Sequence, residues 1–80
     1  MAMVFEKMQE ALAQKFDIEI DEITRDTDLM EDLEADSLDL VELITLLEEE
    51  YDISVEDDSV FEHTTIGAIA DFIESLIAAS

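Results

Sequence analysis

The stretch "EADSLDLVELITLLEEEYD", residues 34–52, decides the fold. Leu40, Leu43, Ile44, Leu47 and Tyr51 recur at helical spacing, so they share one face of a helix and are expected in a core. Asp36 suits the N-cap, and Asp39 three residues on gives a capping-box-like pair, which places Ser37 at the first helical position. The remaining apolar side chains, Leu38, Val41 and Leu46, fall with Thr45 on the flanks or the outer side. Glu42 and Glu49 share that outer side, with Asp39 at its edge. A solvated helix face is normally polar throughout, whereas an apolar strip rimmed with like charges suits docking against a basic groove. The alternative is that Val41 and Leu46 are ordinary core, covered by another part of the chain.

Upstream, Phe5, Met8, Leu12 and Phe16 fall at i, i+3, i+7 and i+11, which predicts a helix over Val4 to Phe16. Residues 17–36 lack sustained periodicity. They read as a long loop with at most a helical turn, pinned to the core by Ile18, Ile20, Ile23, Leu29, Met30 and Leu33. Loops of this length in compact domains are uncommon and often functional. Downstream, a short helix is expected around Ser59 to Glu62. Thr65 then caps a last helix with Ile66, Ile69, Ile73 and Leu76 or Ile77 inward. The expected fold class is all-α. It is a small four-helix bundle, with three longer helices, one short one, and the long loop between the first two. The whole chain, residues 1–80, reads as a single domain.

Composition narrows the function. Twenty-four acids face three bases, a net charge of −21, and all three bases (Lys7, Lys15, Arg25) lie in the first third. Such a surface repels nucleic acid and anionic membranes and steers basic partners inward. There is no cysteine, hence no disulfide framework or thiolate metal site. No apolar run approaches the roughly 18 residues that span a bilayer. The N-terminus lacks a signal-peptide layout. The expectation is a cytoplasmic monomer with no nucleic-acid partner and no membrane insertion. Acids are plentiful, but a calcium loop begun at Asp17 fails: Glu22 stands where glycine is required and Asp28 replaces the bidentate glutamate. No metal is expected.

Ser37 is the residue to explain. A nucleophilic serine needs a base and an oxyanion hole, yet the only histidine is His63 and no G-x-S-x-G elbow is present. No catalytic residue is assigned, and the chain reads as a non-enzyme. With Asp36 already at the cap, Ser37 is left with a free hydroxyl facing solvent, which by itself need mean nothing. It also suits attachment, because a phosphate ester there would lie at the positive end of the helix dipole.

"DSLDLVELITLLEEEYD", Asp36 to Asp52, resembles the acyl carrier protein signature "DSLD-x-VEL-x-x-x-LEEE[FY]". "LMEDL" (Leu29 to Leu33) before it and "TTIGAIADFI" (Thr64 to Ile73) after it extend the resemblance over essentially the whole chain. The resemblance implies a carrier of the discrete, type II fatty-acid-synthesis style. Ser37 would accept 4′-phosphopantetheine from coenzyme A through a phosphopantetheinyl transferase, and the arm's thiol would hold acyl groups as thioesters. It further implies docking on acyl-processing enzymes with basic patches, through Asp36, Asp39, Glu42 and Glu49 as charges and Leu38 and Val41 as apolar contacts. An acyl-chain cavity would be lined by Leu40, Leu43, Leu47, Val55, Val60 and Ile69, the same side chains that a plain core would use.

Several positions depart from the family's pattern. Glu34 and Asp17 stand where glycine is common, and Arg25 replaces a common proline. His63 lies where an apolar residue is usual, and Phe61 where an acid often stands. These leave two other readings open. One is a specialised carrier for polyketides or another acyl pathway. The other is an unmodified acidic module that binds a basic partner through the same stripe.

Overall fold

The computed structural model describes residues 3–55, 61–62 and 64–79. It is all-helical: α1 is Met3–Phe16, α2 is Ser37–Tyr51 and α3 is Ile66–Ala79. A single 3-10 turn, Ile20–Glu22, interrupts the long connection between α1 and α2. Of the expected short helix, Ser59 and Val60 lie outside the described residues, as does His63. Phe61 and Glu62 are exposed.

One core unites the helices. Val4, Met8 and Leu12 enter it from α1, Leu40, Leu43, Ile44 and Leu47 from α2, and Ile66, Ile69, Ala70 and Ile73 from α3. Tyr51, Leu76 and Ile77 pack at its margin. The face expected of α1 is rotated slightly: Val4 is buried, while Phe5 and Phe16 are half-buried. Phe5 still packs against the core, and its outer side meets the Arg25 guanidinium, 5.6 Å from the ring centroid.

The long connection is a structured wrap. Ile23, Leu29 and Ala35 are buried in the core, and Ile18 and Leu33 pack against it. Ile20 corrects the expectation of an anchor. At 43% exposure it lies on the outside of the 3-10 turn, while Ile23, three residues on, takes the inward place. The Gln9 side chain fixes that choice by donating from Nε2 to the Ile23 carbonyl at 2.6 Å. The wrap also closes the start of α3. The first N–H groups of a helix have no partner within it; here Ile66 N–H donates to the Thr27 carbonyl at 2.8 Å and Gly67 N–H to the Arg25 carbonyl at 3.0 Å. Thr65 caps the same end, its Oγ1 accepting from Ala68 N–H at 3.4 Å.

All three bases tie separate elements together. Lys7 lies 3.1 Å from Glu50 at the far end of α2, while Lys15 lies 2.7 Å from Glu42 near its start, so α1 and α2 run antiparallel. Arg25 reaches Asp71 of α3 at 2.7 Å.

Candidate functional site

The start of α2 is built by its own sequence. Asp36 has extended backbone geometry and its Oδ1 accepts from Asp39 N–H at 3.0 Å. Asp39 Oδ2 accepts in return from Asp36 N–H at 3.2 Å, completing a reciprocal capping box. That hydrogen bond from Asp36 N–H, assisted by Lys15, holds the Asp39 carboxyl below the usual carboxylate range. Ser37 follows as the first helical residue and is exposed. The N–H groups of Ser37 and Leu38 belong to the helix's unpaired first turn, where a phosphate ester on the serine oxygen would meet the positive end of the dipole. The residues present therefore fit a phosphate-linked group at this position.

The approach to Ser37 is held in an unusual conformation. Glu34 adopts the left-handed region at φ 55°, as does Asp17 at the end of α1. Those are two of the positions at which glycine is common in the resembled pattern, and the geometry explains that preference, since glycine alone enters the region at no steric cost. Ala35 then turns inward and is buried, so Asp36 and Ser37 emerge at the surface.

The phosphopantetheine attachment site family matches residues 6–73. An acyl carrier protein of Clostridium acetobutylicum is 40% identical over 73 residues, covering 91% of this chain and 95% of that protein. One from Lactobacillus acidophilus is 39% identical over 72 residues, covering 90% of each chain. One from Sulfurovum is 38% identical over 73 residues, covering 91% of this chain and 97% of the other. The chain belongs to the acyl carrier protein family.

The carrier's outward α2 face carries a continuous mixed strip. Leu38 is 64% exposed, Val41 43% and Leu46 40%. Thr45, Glu42 and Glu49 are exposed with them, so neither α3 nor the wrap covers Val41 and Leu46 as core. Asp36 is exposed at the strip's start, and Asp39 is half-buried at its edge. Two of these acids pair with a cation of the chain itself. Lys15 Nζ donates to Glu42 Oε2 at 2.7 Å and lies 3.3 Å from Asp39 Oδ1. The hydrogen bond to Glu42, followed by that to Asp39, raises the Lys15 amine above its ordinary value. Sequence reasoning assigned Lys15 no role, although Lys7, Ala11 and Lys15 at i, i+4 and i+8 signal one edge of α1.

The residues expected around an acyl chain are packed in the core. Leu40, Leu47 and Ile69 are completely buried, Leu43 is buried, and Val55 packs at the margin. Val60 lies outside the described residues. A groove of about 380 Å³ runs between α1 and α2, floored by Leu12, Leu43 and Leu46 with Lys15 and Glu42 at its rim. Of the expected cavity residues it shares Leu43 alone.

Proposed function

We propose that Ser37 is the residue that carries 4′-phosphopantetheine. The carrier holds acyl groups on this covalently attached arm in fatty acid synthesis, as its family membership indicates. Its partners are acyl-processing enzymes and a phosphopantetheinyl transferase. The observation that carries the assignment to Ser37 is an exposed serine at the first position of a rigidly capped helix. When bound, the group supplies a thiol for thioester formation. The chain's own residues do the rest. The Asp36–Asp39 box fixes the backbone from which the arm springs, and the open first turn receives the phosphate. No residue of the chain acts as an acid, base or nucleophile in this reading, so the carrier is not itself an enzyme.

Docking is assigned to Asp36, Leu38, Asp39, Val41, Glu42 and Glu49. Basic patches meet the acids, while the exposed Leu38 and Val41 supply apolar area. A partly apolar acidic strip on one helix and a net charge of −21 support this reading, and the charge favours a monomer over self-association. We further assign the acyl chain to the space opened when Leu40, Leu43, Leu47, Val55, Val60 and Ile69 part.

Intact-mass measurement after incubation with coenzyme A and a phosphopantetheinyl transferase tests the attachment. Wild type gains one phosphopantetheine and Ser37→Ala gains none. Addition that persists in Ser37→Ala, or fails on wild type, overturns the assignment. The second outcome would favour an unmodified acidic module. Enzymatic acylation with short fatty and polyketide-type thioesters distinguishes a fatty-acid carrier from a specialised one.

A further inference from the structure

We propose that Lys15 is a built-in competitor for the partner's cations, and so a specificity-determining residue of the docking face. This rests on docking through α2 and concerns how strongly that face is presented. Of the four acids assigned to docking, Asp39 and Glu42 already have a cation of this chain within 3.3 and 2.7 Å. Both lie on the edge of α2 that faces α1, and Lys15 reaches them from the last turn of α1. Asp36 and Glu49 have no such neighbour among the described ion pairs.

A tethered cation competes at a high effective concentration, because it is delivered intramolecularly. A partner that presents a single flexible lysine to Glu42 must displace an equal. A partner with a guanidinium fork or several cations gains more contacts than it removes, and does displace Lys15. Lys15 thereby weakens every basic partner by up to the scale of one exposed ion pair, and weakens most the partner that offers only a single flexible cation. Once displaced, its ammonium can return to water, since its side chain is 38% exposed. Its aliphatic stem stays along the rim of the α1–α2 groove.

Lys7 is the internal control. It makes a similar ion pair, at 3.1 Å to Glu50, from the same edge of α1. Glu50 lies at the opposite end of α2 from Ser37 and is not one of the docking acids. Removing either lysine changes the net charge by the same amount, so any difference between the two variants is local.

The test is calorimetric titration of the Ser37→Ala carrier, which cannot be loaded, with a phosphopantetheinyl transferase at low ionic strength. Lys15→Ala should tighten Kd by about two- to five-fold, the scale of one exposed ion pair. Lys15→Gln, which retains most of the stem, should do the same if charge is the cause. The gain should fade in about 0.5 M salt, where charges are screened within a few ångströms. Lys7→Ala should give a clearly smaller gain. In a Glu42→Gln background the Lys15 effect should shrink to the part carried by Asp39, and in a Glu42→Gln, Asp39→Asn background it should vanish. Equal gains from Lys15→Ala and Lys7→Ala would reduce the effect to net charge and overturn the proposal; so would an unchanged or weakened Kd in both Lys15 variants. A transferase that binds but never loads wild-type Ser37 would defeat the attachment assignment while leaving this result to stand.

Discussion

Glu34 holds a left-handed backbone at φ 55° three residues before Ser37, and a glutamate there costs roughly 1–2 kcal/mol relative to glycine. Part of that is offset, because glycine also loses more chain entropy on folding, about 0.4–1 kcal/mol. Glu34→Gly should therefore stabilise the carrier by about 0.5–1 kcal/mol and raise its melting temperature by several degrees. Asp17 has the same φ, but aspartate tolerates this region better than glutamate, so Asp17→Gly should gain less. Thermal unfolding of the two variants checks the order. Asp28 is a second residue whose role is local. Its Oδ1 accepts from Met30 N–H at 2.9 Å, Glu31 N–H at 3.1 Å and the Thr64 hydroxyl at 2.9 Å, which joins the wrap to the segment before α3. The hydrogen bond from Glu31 N–H leads in holding its carboxyl below the ordinary value, with Thr64 and Met30 adding to it. A carboxyl with a depressed folded pKa stabilises the fold fully above its unfolded value, about 3.9, and loses that contribution as pH falls through the folded value. Asp28→Ala should thus lower the melting temperature at pH 7, and the gap to wild type should narrow below about pH 4. A gap that stays constant down to pH 2 would show that packing, not the charged hydrogen bonds, sets the loss.

At the scale of elements, the contact between α3 and the wrap tests whether helix propensity or packing dominates. Gly67 lies in the first turn of α3, where alanine would ordinarily be worth about 1 kcal/mol more than glycine. A Cβ at this position would come within 2.9 Å of both Cβ and the carbonyl oxygen of Arg25. That oxygen accepts the Gly67 N–H, so the added methyl has to push the wrap away from the helix start. Overpacking of this kind typically costs about 1–3 kcal/mol, enough to reverse the propensity gain. Gly67→Ala should lower the urea midpoint; a raised midpoint would show that the wrap yields freely. The same contrast between local and distant causes separates what the sequence displayed from what it concealed. The α2 cap was legible because Asp36 and Asp39 stand three residues apart and need no other part of the chain. The inward face of α2 and the exposure of Leu38 were legible from periodicity, whereas Val41 and Leu46 stayed open because their exposure depends on where the other elements lie. Ile20 and Ile23 could not be distinguished, because nothing periodic surrounds them and a hydrogen bond from Gln9 makes the choice. The contact of Phe5 with Arg25 was hidden for a similar reason, because it joins α1 to the wrap. The engagement of Asp39 and Glu42 by Lys15 required the antiparallel register of α1 and α2, which pairs residues 27 apart.

For the molecule as a whole, the question is whether salt strengthens or weakens the fold, because two opposing electrostatic effects are present. The ion pairs of Lys7, Lys15 and Arg25 link α1 to α2 and the wrap to α3, and salt weakens them. None of them is buried, the least accessible side chain, Asp39, being 28% exposed, and such solvated pairs contribute little each. Against them stands the mutual repulsion of a net charge of −21 in a body whose radius of gyration is 11.5 Å. The Debye length is about 10 Å in 0.1 M salt, so repulsion across the molecule is largely screened at ionic strengths where close pairs survive in part. Repulsion involves many acids and acts over long distances, whereas the stabilising pairs are few and short. Salt should therefore raise the melting temperature between about 10 and 300 mM. Millimolar divalent cations should raise it further at matched ionic strength, by associating with clustered carboxylates in the compact state more than in the expanded chain. Arg25→Gln should melt lower than wild type at every salt concentration, since it loses Asp71, the Gly67 carbonyl and the Phe5 ring together. A melting temperature that falls as salt is added would reverse this balance and make those few cations, rather than the relief of repulsion, the main electrostatic support of the fold.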